Sequence, residues 1–309
     1  MSVHFLRGVP ASPIILRLLG QAREALLQVL RDCVGPTPLD AFAETQACLP
    51  LRLGGCGIKD PTQVRVPARI AGILTYLHHA AKLGFPPQCN TAQPPPDLLP
   101  LLQQARLALG DNFDPLPEWL GGTNGNVVLR NIEPKHRSQR WWSDAWYKAI
   151  RINLAERAFL RDRKRLKLQS MAHTTAWMQW VPLPDGRATY EPSEYRLLLR
   201  FWLGLHVIPG DAGQPCPHCG QALDSFGDHL VSCTKNNLTQ RHHSVCRALQ
   251  EVLAKFGVAC RREVPLASRL QRPGDLAIDN LGERPILVDL TCHHPLAPGL
   301  DRAAPDRVV

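Results

Sequence analysis

No stretch of this sequence approaches the roughly 20 uninterrupted apolar residues of a membrane-spanning helix, so a membrane-embedded chain is not expected. Acidic residues are missing from Met1 to Gly20, where Arg7 and Arg17 stand among apolar side chains. That opening lacks a compact apolar core with a small-residue cleavage site behind it, which argues against a secretory leader. An amphipathic helix or a mitochondrial transit segment remains. Aromatic residues are scarce at 6%, yet seven are tryptophan and three of those crowd into one basic stretch. What is not scarce is apolar surface in general: a 44% hydrophobic fraction excludes wholesale disorder.

The 309 residues make room for about two domains. The formal net charge is +9, which suits a polyanionic partner. Of the ten cysteines, Cys33, Cys48, Cys56 and Cys89 are scattered singly, whereas Cys216, Cys219 and Cys233 cluster among histidines. Without a leader, this pattern reads as reduced thiols plus one metal site.

Along the chain, Ser12 and Pro13 open a helix over residues 12–33 with Ile14, Leu18, Leu26 and Leu30 on related faces. The LPLRLGGCGI run at 49–58 reads as a short strand or a loop turning on its glycines. A second helix is expected over 67–83, opened by Pro67, and a proline-stiffened linker from Pro86 to Pro100. Residues 132–167 carry eleven Lys or Arg against four acidic residues, with Trp141, Trp142, Trp146 and Tyr147 between them. Their cations suit phosphate contacts and their tryptophans either stack on bases or pack in a helix core. Ile150, Leu154, Phe159 and Leu160 are the expected buried stripe. RDRKRLK at 161–167 reads as a solvated helix face or a nuclear import signal. A further helix is expected over 192–206, capped by Ser193 or started by Pro192.

Cys216, Cys219, His229 and Cys233 follow the spacing C-x2-C-x9-H-x3-C. A C-x2-C turn aims two thiolates at one ion, and an H-x3-C pair shares one face of a helical turn. Three thiolates and an imidazole suit tetrahedral zinc and leave no open coordination position, so the site is expected to be structural. Gly220 and Gly227 supply turns, and His218 and Cys246 are spare ligands.

Beyond it, residues 242–256 are helical, with Val245, Leu249, Val252 and Phe256 in register and Gly257 as C-cap. Strands are expected over 258–267, 275–279 and 285–292. Asp275 begins the second of these and Asp289 sits inside the third, in an apolar run where a lone charge is costly. Two carboxylates on adjacent strands can share Mg²⁺ and hydrolyse a phosphodiester. The bland alternatives are a turn cap for Asp275 and an ion pair of Asp289 with Arg272 or Arg284. Asp279 is a turn residue, and Cys292, His293 and His294 belong to a loop.

This order of signals resembles the C-terminal region of site-specific non-LTR retrotransposon polyproteins that carry a restriction-like endonuclease. The residues that carry the resemblance are the Cys216–Cys233 knuckle, Arg241-His242-His243, RPGDLAI at 272–278, VDLT at 288–291 and His294-Pro295-Leu296. LPLRLGGCGIKDPTQVRVPARIAGIL at 49–74 is similar to the thumb-like segment behind the polymerase palm of such proteins. WMQWVPLPDG and EPSEYRLLLRFWLGL are similar to their stretch before the knuckle. The resemblance implies an α+β chain: thumb-like helices over 1–85, a Pro/Gly-rich linker region over 86–131 and a basic helical segment over 132–210. A zinc knuckle over 211–240 and a PD-(D/E)XK core over 241–309 follow. It implies zinc on Cys216, Cys219, His229 and Cys233, and Mg²⁺ and catalysis on Asp275 and Asp289. DNA or RNA contacts are expected at Arg137, Arg140, Trp141, Arg163, Lys164, Arg165, Arg241 and His242, in a nuclear or otherwise cytoplasmic protein. Two departures stand out. No YxDD-like palm motif is present, so the chain is not expected to copy RNA into DNA. Thr291 occupies the position of the signature lysine and no lysine follows Lys255, which keeps open a non-catalytic nucleic-acid-binding remnant.

Overall fold

The computed structural model describes residues 3–36, 38–83, 98–109, 134–171, 174–179, 190–208, 213–236, 238–264, 274–279 and 286–290. Of these, 66% are helical and a small antiparallel sheet holds the strands, an α+β composition. The chain divides into two compact units, Met1–His206 and Val207–Val309.

The first unit is helical: α1 (Val3–Gly8), α2 (Pro13–Val34), α3 (Ala41–Ala47), α4 (Pro61–Lys82), α5 (Leu98–Leu109), α6 (Gln139–Arg157), α7 (Leu160–Gln169) and α8 (Pro192–Leu203). α2 starts where the sequence placed it, with the Ser12 hydroxyl accepting the Ile15 N–H at 3.3 Å. Its buried face is Leu19, Leu27, Leu30 and Val34, while Ile14, Leu18 and Leu26 are exposed. The helix carries apolar residues on two neighbouring stripes, and packing rather than periodicity selects between them.

α4 begins six residues before Pro67, because the Asp60 carboxylate accepts the Thr62 N–H at 2.8 Å and caps an earlier turn. Pro67 lies inside the helix, where it costs one backbone hydrogen bond. The buried neighbours Val64, Val66, Ala68, Ile70 and Ala71 hold the helix through that gap. Within the expected linker region, residues 98–109 form α5 instead. Leu98, Leu101, Leu102 and Ala105 sit on one face and join Ile70, Leu74, Trp142 and Trp146 in a core. The tryptophans of the basic stretch are thus largely core residues, with Trp141 stacked edge-on against Trp142 at 5.0 Å. The expected stripe over 150–160 is broken: Ala158 is extended and ends α6, leaving Phe159 and Leu160 exposed. α8 begins at Pro192 as expected, but Glu194 rather than Ser193 secures the start by accepting the Glu191 N–H at 3.1 Å.

The LPLRLGGCGI run is a loop, with a 3-10 turn at Leu51–Leu53 closed by Gly54 in the left-handed region at φ 84°. Gly55 is pressed so closely that a Cβ there would stand 1.9 Å from the Leu49 carbonyl oxygen.

The second unit holds α9 (Asp228–Ser232), α10 (Leu238–Lys255), β1 (Cys260–Val264), β2 (Gly274–Ile278) and β3 (Ile286–Val288). The strands pair antiparallel in the order β1-β2-β3, with Arg262 opposite Leu276 and Leu276 opposite Val288. Gly257, at φ 71°, ends α10 as expected. Gln250 ties α10 to β1 through the Cys260 carbonyl at 2.9 Å. The expected helix over 242–256 lies within α10, on which Val245, Val252 and Phe256 are exposed. The inward face of α10 carries Cys246 and the partly buried His242 instead. Residues 272, 280–285 and 291–309, which include Arg272, Arg284, Thr291 and the Cys292-His293-His294 run, lie outside the described residues.

Candidate functional site

The cysteine–histidine group is assembled by two tight turns. Pro215 bridges to Ala222, and the Cys216 N–H donates to the Gln221 carbonyl at 2.7 Å. The Gly220 N–H closes on the Cys216 carbonyl at 2.9 Å, with Gly220 at φ 75°. This folds Cys216 and Cys219 to one side. The second pair comes from α9, entered through Gly227 at φ 78°. The Asp224 carboxylate accepts the N–H groups of Phe226, Asp228 and His229 at 3.0, 3.0 and 2.6 Å, which fixes the start of that turn. Burial pushes the Asp224 carboxyl up, but those three donors outweigh it and hold it below its ordinary value. His229 then projects from α9 and Cys233 follows its last residue.

The four ligand atoms of Cys216, Cys219, His229 and Cys233 all lie within 4.8 Å of one another. Cys216 Sγ and Cys233 Sγ are 3.8 Å apart, and Cys219 Sγ is 3.1 Å from His229 Nε2. Sulfurs bound at about 2.3 Å around a tetrahedral ion stand roughly 3.8 Å apart, the separation of Cys216 and Cys233, so this donor set suits one such ion. Burial pushes the Cys216 thiol up, but backbone donors from His218 and Cys219, with the His229 and Cys219 side chains, bring it to about 6. At Cys219 a backbone donor from Gln221 works downward. Burial and the thiols of Cys233 and Cys216 overcome it and leave the group raised. Of the spare ligands, His218 is exposed and Cys246 is buried beside His242, with its sulfur 3.5 Å from His242 Nε2.

The acidic pair meets on the sheet. Carrying the β2–β3 register one step beyond Leu276 and Val288 sets Asp275 opposite Asp289, with both side chains on one face. Asp275 Oδ2 accepts the Leu290 N–H at 2.5 Å, and Oδ1 lies 3.0 Å from His242 Nε2. Burial pushes the Asp275 carboxyl up. The Leu290 N–H, the Asp289 side chain and His242 together overcome this and hold it below the usual carboxylate range. Sequence reasoning named His242 as a nucleic-acid contact and missed that it faces Asp275; its place in the Arg-His motif was the only signal. Asp279 is engaged elsewhere, receiving both arms of the Arg261 guanidinium at 2.7 Å.

The basic candidates divide by burial. Arg140 and Arg163 are exposed, and Arg163 folds back onto the Ala155 and Ala158 carbonyls at the end of α6. Arg137, Trp141 and Lys164 are half-buried. Arg241 donates to the Val231 carbonyl at 2.6 Å and so ties α10 to α9. Arg165 corrects the expectation: it is 5% exposed, bonded to Asp162, Gln46, Gln169 and the Trp202 carbonyl, and presents no charge to a partner.

The fold and site define an α+β protein with a Cys3His group suited to a metal ion such as zinc. Among the described residues no helix is long and apolar enough to cross a membrane. Comparison with family models, curated proteins and solved structures finds no match for this chain.

Proposed function

We propose that the chain is a fragment of a non-LTR retrotransposon protein whose second unit is a Mg²⁺-dependent DNA endonuclease braced by a zinc knuckle. The observation that carries this reading is the meeting of His242, Asp275 and Asp289, drawn from α10, β2 and the residue after β3. Those residues belong to the segments on which the sequence resemblance rests. Zinc on Cys216, Cys219, His229 and Cys233 is coordinatively closed, so it holds the fold and does no chemistry.

Asp275 and Asp289 offer hard oxygen donors of the kind Mg²⁺ takes. Leu290 N–H and His242 engage the two Asp275 oxygens from one side each, and Asp289 stands beside them. Mg²⁺, when bound, polarises a phosphodiester and activates water. The protein's part is to hold the carboxylates: Leu290 and His242 fix Asp275, and the strand pairing fixes Asp289 against it. Hydrolysis forms one P–O bond to water and breaks one ester P–O bond, with the proton passing to the departing oxygen. A DNA or RNA strand is held by exposed cations, and a nuclear location belongs to the same proposal.

Nicking of supercoiled plasmid in Mg²⁺ tests it. The chain should convert plasmid to open circles, and Asp289→Asn and Asp275→Asn should not. Equal cleavage by all three proteins refutes the site. The second reading, a non-catalytic nucleic-acid-binding remnant, is favoured by Thr291 at the lysine position. Its signature is salt-dependent binding without nicking.

A further inference from the structure

The LPLRLGGCGI loop has no part in that proposal, yet it builds one wall of a cavity of about 570 Å³ in the first unit. That volume lies within the usual range for small-ligand sites. The opposite wall is the start of α6, through Gln139, Arg140, Ser143, Asp144 and Tyr147. The lining pairs two chemistries. Leu51, Ile58, Val64 and the buried Tyr147 are apolar, whereas Arg52, Lys59 and Arg140 are cations facing a single acid, Asp144. Arg52 bridges to Asp144, tying the loop to α6. Lys59 and Arg140 are exposed and, among the described residues, make no ion pair. Gly57, at φ 75°, contributes bare backbone to the rim.

Two nucleophile types line the cavity, but neither is poised to react. Burial pushes the Cys48 thiol and the Tyr147 hydroxyl each up to about 12, so both are protonated at neutral pH. Its wall is preorganised: the Gly55 backbone packs against the Leu49 carbonyl with no room for a side chain.

We propose that this cavity seats a nucleoside phosphate, its phosphate on Lys59 and Arg140 and its flat base against Leu51, Ile58 and Val64. A free anion such as inorganic phosphate uses only the cationic rim, and an uncharged apolar ligand uses only the floor. A nucleoside phosphate uses both, and Gln139 and Ser143 add hydrogen-bonding edges. The ligand is either a free nucleotide or one nucleotide of a single strand. The proposal concerns the first unit and stands whether or not the second unit cuts DNA.

Fluorescence anisotropy of a labelled single-stranded oligonucleotide with the full chain tests it. The double variant Lys59→Gln/Arg140→Gln should weaken binding by roughly tenfold or more, the low end for charged hydrogen bonds. It should also reduce the salt slope by about 0.7, the value for one neutralised phosphate on a single strand. Because both side chains are exposed, its melting temperature should match that of the parent protein. Ser143→Leu, which fills the cavity and keeps every cation, should weaken binding too. Unlabelled nucleoside monophosphate should compete, and inorganic phosphate at equal concentration should not. A strand that binds more tightly than the mononucleotide identifies the strand as ligand; equal affinity identifies the free nucleotide. Unchanged binding by the double variant or by Ser143→Leu overturns the proposal, as does equal competition by inorganic phosphate.

Discussion

Arg165 separates a stability role from a binding role more sharply than any other residue of the basic segment. Its guanidinium donates to Gln46 Oε1 at 2.9 Å, to Asp162 Oδ1 through Nε at 3.0 Å, and to the Trp202 carbonyl, joining α3, α7 and α8. In Arg165→Met, Gln169 Oε1 still accepts from Gln46, and the Trp202 carbonyl still accepts from Gln46 and Gln169. Gln46 Oε1 loses its donor inside a fully buried side chain, a loss of about 1–3 kcal/mol. Asp162, at 22% side-chain exposure, loses Arg165 but keeps Arg161 at 3.3 Å and recovers water, which adds at most about 1 kcal/mol. The expected destabilisation is about 3 kcal/mol, or a melting temperature lower by about 6–12 °C for a unit of this size. Arg165→Lys should lose nearly as much, since a single ammonium cannot reproduce the fork. Arg163→Met, on the exposed side of the same helix, should cost under about 1 kcal/mol. Thermal melts of the three variants decide the matter, with nucleic-acid affinity measured well below each transition. A loss under 1 kcal/mol for Arg165→Met, or a folded variant whose strand binding has collapsed, would refute the burial argument.

Other outcomes follow from the same structure. Cys219→Ser should reduce bound metal from about one ion per chain to near none and loosen the second unit, as read by metal analysis and amide exchange. Undiminished metal content would place the ion elsewhere. Asp279 is held below its ordinary value by the Arg261 guanidinium, so the contribution of this pair is full above the unfolded carboxylate value and fades as pH falls through the lowered one. Asp279→Asn should therefore lower stability slightly above about pH 4, where the pair is fully formed, and converge with the parent protein as pH falls below it, which flattens the acid limb of the stability profile. Gly55→Ala forces a Cβ into the Leu49 carbonyl and should cost more than about 2 kcal/mol in a denaturant titration.

The legible parts of the fold were those with local causes. Ser12 with Pro13, Pro192, and Gly257 mark helix ends through capping and backbone geometry confined to a few residues. What escaped was decided by packing. Nothing local distinguishes the buried stripe of α2 from the exposed one beside it. Pro67 reads as a helix start unless the Asp60 cap and the buried neighbours are known. Leu98–Leu109 is hidden behind a run of prolines, although its spacing of leucines is that of a core-facing helix.

The site divides along the same line. The Cys3His group was legible because its spacing encodes the local turns that bring the ligands together. The acidic pair depends on a register: Asp275 and Asp289 face each other only because Leu276 pairs with Val288, and a shift of one residue would turn Asp289 to the other face. His242 is further removed, since it reaches Asp275 from a helix 33 residues upstream. On α10, periodicity marks the helix but not which side turns inward. Val245, Val252 and Phe256 stand in helical register but are exposed, and the helix turns Cys246 and His242 inward. A helix that leaves valines and a phenylalanine in water while directing a histidine at a carboxylate gives up local apolar burial for placement of a polar group. Such a mismatch between apolar spacing and inward face is a conflict that only tertiary packing resolves.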